Sequence, residues 1–141
     1  MLRLPDRWLW DFWIAEDDAA CHLFFLQAPR VGDPDLRHWN TSVGHAVSTD
    51  LTDWQVVGDA LTPSTEPAFD DLATWTGSVV RGDDGVWYLF YTGLSRADDG
   101  QVQRVGLATS RDQTRCCCST VWGPSCRLRV ARRASRVGCG C

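Results

Sequence analysis

Short apolar runs alternate with polar turns along residues 7–110, and no stretch keeps the apolar spacing of a helix for more than a few residues. Runs that are apolar or alternate in polarity predict strands, at 7–13, 21–27, 42–48, 55–57, 75–80, 86–93 and 103–110. Two prolines and a glycine within residues 28–39 predict an irregular loop, and Arg81–Gly85 predicts a tight hairpin turn. The pattern therefore predicts an all-β fold.

The predicted strands repeat along the chain. The run His22–Leu26 is echoed by Trp87–Tyr91, 65 positions later, and Gly44–Asp50 is echoed by Gly106–Asp112, 62 positions later. A period of this size, built from about four short strands, is typical of β-propeller blades. Two blades cannot close the ring that removes exposed sheet edges. Residues 1–112 are therefore predicted to be the first two blades of a longer propeller.

One carboxylate near the N-terminus stands among three tryptophans, in the run Arg7-Trp8-Leu9-Trp10-Asp11-Phe12-Trp13. Strand alternation predicts that Trp8 and Trp10 share one face and that Asp11 points to the other. A carboxylate flanked by aromatic rings is expected to be shielded from water and to need a polar partner. Asp11 is either a functional acid or a strand-end cap beside core tryptophans, and we favour the first interpretation.

Composition narrows the classes of partner. The chain has eight Trp, whose flat rings stack on sugars or fill large β-cores. All eighteen acidic residues lie within residues 1–112, and this acidic body argues against a nucleic-acid partner. No apolar run is long enough to span a membrane and no signal-peptide pattern is present, so no membrane partner and a cytoplasmic location are expected.

Four motifs together resemble the catalytic domain of glycoside hydrolase families 32 and 68, the invertase, levanase and levansucrase group. Gly44–Trp54 is similar to the Gly-His-Ala-x-Ser-x-Asp-Leu-x-x-Trp segment of invertases, and His22–Gln27 to their His-Leu-Phe-Tyr-Gln strand. Trp75–Val79 resembles their Phe/Trp-Ser-Gly-Ser-Ala motif, whereas Trp10–Trp13 is nearer to the levansucrase Trp-Asp-Ser-Trp. The resemblance covers residues 8–112 and implies a five-bladed β-propeller.

The resemblance also implies a site and a substrate. Asp11 would be the nucleophile of a retaining mechanism on fructosides such as sucrose or fructans. The implied substrate-binding residues are Trp10, Gln27, Trp75 and Ser78, with Gln27 and Ser78 bonding hydroxyls and Trp75 stacking; no cofactor and no metal are implied. Structural interpretations stay open, because Ser78 could satisfy a backbone group and Trp75 could be core between blades.

Other polar residues near these motifs are expected to have structural roles. His45 has apolar neighbours in the sequence and is predicted to be a hydrogen-bonded structural histidine. Asp70 and Asp71, just before Trp75, are predicted to cap a loop rather than to act in catalysis.

Two alternative functions remain open beside the fructosidase. The chain could resemble the inverting family 43 propellers, active on arabinosides or xylosides, with Asp11 as a general base acting through water. It could instead be a non-catalytic sugar-binding module. The resemblance further implies an Arg-Asp-Pro motif and a Glu-Cys-like general acid, but Arg111-Asp112 is followed by Gln113, and neither Glu16 nor Glu66 has a matching context. The chain as it stands is therefore expected to be inactive.

Residues 113–141 depart from this pattern, with six of the seven Cys, six Arg and no acid. A zinc site would need paired Cys-x-x-Cys or His ligands, which this segment lacks. A basic tail that binds nucleic acid or membrane would not usually carry six Cys. Translation of GC-rich DNA in a wrong reading frame accounts for the composition and for the abrupt break. We favour this last interpretation, which predicts a disordered tail after the partial propeller domain at 1–112.

The reading-frame interpretation can be checked on the DNA that follows codon 112. Translated in the other two frames, it should encode a Trp-anchored turn, then an Arg-Asp-Pro motif and a Glu-Cys-like segment. The interpretation is wrong if neither frame does so and if residues 113–141 of the expressed chain resist protease.

Overall fold

The computed structural model describes residues 1–111, which form seven β-strands in two antiparallel sheets. The strands are β1 Arg7–Glu16, β2 Cys21–Pro29, β3 Ser42–Ser48, β4 Gln55–Leu61, β5 Ala73–Arg81, β6 Trp87–Leu94 and β7 Arg104–Ser110. The sheets have the orders β1-β2-β3-β4 and β5-β6-β7, so within each sheet every strand lies beside its sequence neighbours. The predicted all-β fold is confirmed. Residues 113–141, for which a disordered tail was predicted, lie outside the described residues.

The two sheets are consecutive β-propeller blades, as the repeat predicts. Strands β1, β2 and β3 correspond to β5, β6 and β7, and each pair of consecutive strands in a blade is joined in antiparallel register. The hairpin between β5 and β6 closes at the predicted Asp-Gly turn, where Gly85 has φ +73° and the Gly82 N–H donates to the Val86 carbonyl at 2.8 Å. Glycine adopts this left-handed conformation without a side-chain clash.

The hydrophobic core lies between the facing surfaces of the two blades. Buried members come from both sheets: Ala15, Phe24, Leu26, Val43, Ala60, Leu61, Trp87, Leu89, Tyr91 and Ala108. Trp10, Trp13, Phe69 and Val79 pack against this cluster with part of their surface exposed. Burial of so many apolar side chains at one interface is the main favourable term that holds the blades together.

The predicted irregular loop between β2 and β3 contains a short helix, which corrects the prediction for residues 28–39. A 3₁₀ helix spans Pro34–Asn40. The Asp33 carboxylate accepts from the N–H of Asp35 at 2.9 Å, and Pro34 occupies the first turn, where its missing N–H costs nothing. A capping residue followed by proline was the local signal for this helix. The helix carries His38 and Trp39.

A buried histidine pair joins β2 to β3 at the far end of the first blade. His22 and His45 are 1% and 2% exposed, and the His22 Nδ1 lies 3.0 Å from the His45 Nε2. The His22 Nε2 lies 3.2 Å from an oxygen of Asp17, which as a carboxylate can only accept, so this nitrogen donates. With neutral His22, its Nδ1 then accepts from the His45 Nε2–H. His45 is thus the hydrogen-bonded structural histidine that its apolar neighbours predict.

Residues 1–111 contain neither a membrane-spanning helix nor a cluster of metal-ligating side chains. None of the helices there is both long and apolar enough to cross a membrane. In that same part of the chain, no three His, Cys, Asp or Glu side chains come together in a group that could hold a metal ion.

The histidine pair should make stability depend on pH. Burial, and then the neighbouring His22, lower the pKa of His45 from its ordinary 6.5 to about 4. The unfolded chain therefore takes up this proton at a higher pH than the folded chain does. The free energy of unfolding should be greatest above pH 6.5 and fall between pH 6.5 and pH 4, by about 3 kcal/mol from this group. Urea unfolding at a series of pH values measures the change.

His45→Phe keeps an aromatic ring beside Phe24, whose ring is 4.7 Å away, but cannot titrate. Its free energy of unfolding should be lower at pH 7 and should vary less between pH 6.5 and pH 4 than that of the wild-type chain. An equally steep pH dependence in the variant would contradict the assignment to His45.

Candidate functional site

Asp11 is the extra residue of a β-bulge in the innermost strand of the first blade. Trp10 pairs with Leu26 and Phe12 with Phe25, so Asp11 has no partner in β2. Its φ is +37°, a left-handed conformation that Asp tolerates better than most residues. A bulge re-aims a side chain out of the strand alternation. The simple alternation predicted for Trp8, Trp10 and Asp11 is therefore interrupted at Asp11.

The innermost strand of the second blade has a bulge at the corresponding position. Trp75 pairs with Thr92 and Gly77 with Tyr91, which leaves Thr76 as the extra residue. Gly77 must be glycine here because a Cβ would overlap the backbone oxygen of Phe90. Thr76 follows Asp11 by 65 residues, which is the spacing of the repeated β2 and β6 segments. The repeat therefore places the two bulges at equivalent points of consecutive blades.

The two bulges meet through one hydrogen bond. The Thr76 hydroxyl donates to the Asp11 Oδ2 at 2.7 Å, and both side chains are exposed. The expectation that aromatic rings shield Asp11 from water is wrong, because the bulge turns the carboxylate out of the aromatic stretch. The expectation of a polar partner is met by Thr76. Thr76 is not among the site residues predicted from the sequence, although its 65-residue offset from Asp11 could have identified it.

An aromatic cluster borders the two bulges. Trp10 and Trp75, the residues just before Asp11 and Thr76, both pack against the ring of His38, with centroid distances of 5.6 and 6.4 Å. Trp39 also contacts Trp75, at 6.3 Å. The Trp75 indole N–H donates to the His38 carbonyl at 2.7 Å, which ties the 3₁₀ helix to β5. We call Trp10, His38, Trp39 and Trp75 the aromatic wall.

The other two predicted substrate-binding residues lie on either side of this centre. Gln27 is 4% exposed and pairs in register with Leu9, two residues before Asp11; its side-chain amide donates to Asp59 on β4. Ser78 is exposed on β5, two residues after Thr76. The structure thus brings Asp11, Trp10 and Trp75 together at one point, whereas neither Gln27 nor Ser78 is hydrogen-bonded to Asp11. The roles of all five residues stay predictions.

Asp70 and Asp71 hold the loop before β5. The Tyr91 hydroxyl donates to Asp70 at 2.6 Å, and the backbone N–H of Arg96 donates to Asp71 at 2.8 Å. Burial, and then the bond to Asp70, raise the pKa of Tyr91, so its hydroxyl stays protonated as the donor. Both carboxylates are occupied in fixing this loop, in agreement with the predicted structural role.

Comparison with known proteins extends these observations. Residues 14–122 match the family model described as the glycosyl hydrolases family 32 N-terminal domain. The match begins three residues after Asp11, and it runs ten residues beyond the boundary that sequence analysis placed at residue 112. It favours family 32 over the family 43 alternative, and it does not include Asp11.

Individual relatives agree with the family match. The chain is 38% identical over 99 residues to raffinose invertase of Escherichia coli, an alignment that covers 67% of this chain and 19% of that protein. Among solved structures, fructan 1-exohydrolase IIa from Cichorium intybus aligns with a TM-score of 0.63 and 25% identity, over 79% of this chain and 19% of that one. Inulosucrase from Halalkalicoccus jeotgali bound to kestose aligns with a TM-score of 0.61 and 26% identity, over 75% and 28%.

The matched region is a small part of the relatives. The chain spans between 12% and 19% of the length of the curated relatives that it matches. It nevertheless carries the blade repeat, and the family model covers 109 of its 141 residues. The chain therefore belongs to family 32 of the glycosyl hydrolases, within the N-terminal domain of that family.

Proposed function

We propose that this chain is part of a glycosidase that acts on fructosides, with Asp11 as the nucleophile of a retaining mechanism. The main support for the proposal is the pair of bulges. They place the Asp11 carboxylate beside Thr76 and next to Trp10 and Trp75. Bulges that re-aim a side chain, and residues held in rare backbone conformations, are over-represented at functional sites. The names of the matched proteins refer to raffinose, kestose and fructan, all of which contain fructose.

The carboxylate is arranged for attack by one of its two oxygens. Thr76 holds Oδ2, while Oδ1 has no hydrogen-bond partner among residues 1–111. In the proposed step, Oδ1 bonds to the anomeric carbon of the fructosyl group as the bond from that carbon to the leaving oxygen breaks. Water then cleaves the resulting ester and releases fructose. A second carboxyl group, about 5–5.5 Å away, must protonate the leaving oxygen, and neither Glu16 nor Glu66 has the sequence context expected for it.

The sugar would be held by the aromatic wall and by two hydrogen-bonding side chains. The flat rings of Trp10 and Trp75 offer the apolar surface that stacks on a sugar face. The Ser78 hydroxyl is exposed on the same strand as Thr76 and is available to a sugar hydroxyl. Gln27 donates to Asp59, and its carbonyl oxygen would accept from a second hydroxyl. A non-catalytic sugar-binding module would use these same contacts without the attack by Asp11.

A substrate with a good leaving group can show whether the chain reacts with a fructoside or only binds it. Without a general acid the chain is expected to be inactive on poor leaving groups, but fluoride leaves β-fructofuranosyl fluoride without protonation, so the chain itself should form a fructosyl ester and release fluoride. Asp11→Asn keeps the shape of the side chain but removes its charge, and fluoride release should fall by several orders of magnitude. A fluoride electrode and mass spectrometry of the intact chain measure release and ester formation.

The matched control is Asp83→Asn, which changes an exposed acid in the hairpin turn of the second blade. It should react as the wild-type chain does. A rate for Asp11→Asn above about a tenth of the wild-type rate would show that Asp11 is structural. Sugar binding without any ester in the wild-type chain would favour the binding module.

A second prediction concerns the residue that positions the nucleophile. Thr76→Val preserves the branched shape but removes the hydroxyl, whereas Thr76→Ser keeps the donor. Because the hydroxyl holds Oδ2 and so orients Oδ1 for attack, ester formation should slow about tenfold in Thr76→Val and change little in Thr76→Ser. The same fluoride assay measures both variants. Equal rates in the two variants would contradict a positioning role for the hydroxyl.

A further inference from the structure

His38 occupies a special position in the aromatic wall. Its ring packs edge-on against Trp10 at 5.6 Å and against Trp75 at 6.4 Å, with interplanar angles of 77° and 73°. These two tryptophans are 65 residues apart and directly precede Asp11 and Thr76, the two bulge residues. A single imidazole thus bridges equivalent positions of the two blades, immediately beside the proposed nucleophile.

The backbone around His38 is fixed by hydrogen bonds to the second blade. The His38 carbonyl accepts from the Trp75 indole N–H at 2.7 Å and from the Thr41 hydroxyl at 2.9 Å. The Thr41 carbonyl in turn accepts from the backbone N–H of Thr74 at 3.3 Å. This end of the 3₁₀ helix is therefore held against β5. A side chain on such a support is preorganised to bind a ligand.

The imidazole has hydrogen-bonding capacity that the protein does not use. Within residues 1–111 neither ring nitrogen of His38 forms a hydrogen bond, and the side chain is only half-buried. Trp10 and Trp39 add apolar surface to the wall, and the Trp75 indole N–H is already engaged. A sugar that stacks on this wall presents hydroxyls around the edge of its ring, and each neutral imidazole can donate to one and accept from another.

We propose that His38 is a specificity-determining residue, whose imidazole hydrogen-bonds a hydroxyl of the sugar ring held by Trp10 and Trp75. The assignment rests on the proposed function, because it needs a sugar at the aromatic wall. It adds a contact that the motifs do not contain, since His38 lies in the segment between the matched β2 and β3 motifs. A site that bonds a particular hydroxyl discriminates against sugars in which this hydroxyl is inverted.

Binding of ketohexose epimers to the complete 141-residue chain tests the proposal. D-fructose is compared with D-psicose, D-tagatose and L-sorbose, which invert the hydroxyls at C3, C4 and C5 respectively. The tryptophan indole N–H signals in NMR spectra report binding at the wall, and the thermal midpoint of each variant reports folding. His38→Phe keeps the ring but cannot hydrogen-bond, His38→Gln keeps a donor and an acceptor, and Leu36→Ala is the control on the same helix.

We expect His38→Phe to lose its preference among the sugars while the control variant keeps it. His38→Phe should bind fructose about fivefold more weakly and should lose the preference for fructose over one epimer, because a neutral hydrogen bond contributes about 1 kcal/mol. His38→Gln should retain at least part of that preference, and Leu36→Ala all of it. Equal affinity and an unchanged ranking of epimers in a folded His38→Phe chain would overturn the assignment while leaving the proposed function intact.

Two other outcomes are also decisive. If His38→Phe and His38→Gln lose affinity for all four sugars to the same extent, His38 only supports the tryptophans, and the specificity role is wrong. If the wild-type chain binds none of the sugars, both the proposed function and the role of His38 are wrong. The wild-type titration therefore distinguishes failure of the function from failure of the His38 role.

Discussion

The hydrogen bond between Asp11 and Thr76 depends on a break in strand register that occurs in both blades. An uninterrupted strand would pair each of these residues with its neighbour strand and would leave its side chain in the regular alternation. The bulges release both residues from that pairing, and Gly77 allows the chain to pass close to Phe90. The candidate site therefore arises at the point where the sheets are least regular.

Two other parts of the described chain hold the bulges in place: the core between the blades and the loop from β2 to β3. The core between the blades fixes the distance between β1 and β5, so the two bulges can meet. The loop from β2 to β3 is tied to β5 through the Trp75 indole and the Thr74 backbone. Loops that carry functional groups on a rigid scaffold are a general feature of binding sites. Here the loop contributes His38 and Trp39.

Much of the fold could be predicted from the sequence because apolar patterning and the 65-residue repeat report directly on strands and blades. Asp11 and Trp10 could be selected because an acid among tryptophans is chemically unusual, and Trp75 because Trp75–Val79 resembles a family motif. The bulges could not be predicted, since one unpaired residue leaves no mark in the polarity pattern. The bond from Gln27 to Asp59 and the ring contacts of His38 join segments distant in sequence, and such contacts depend on tertiary packing.

The paired bulges are proposed to form a sugar site in which Asp11 faces the anomeric carbon of the bound sugar. The most direct measurement is a crystal structure of the chain soaked with fructose. It should show the sugar against Trp10 and Trp75, with its anomeric carbon within about 3.5 Å of the Asp11 Oδ1 and the bond from Thr76 to Oδ2 intact. A sugar bound elsewhere, or an Asp11 that pairs regularly within β1 and points away from Thr76, would contradict it.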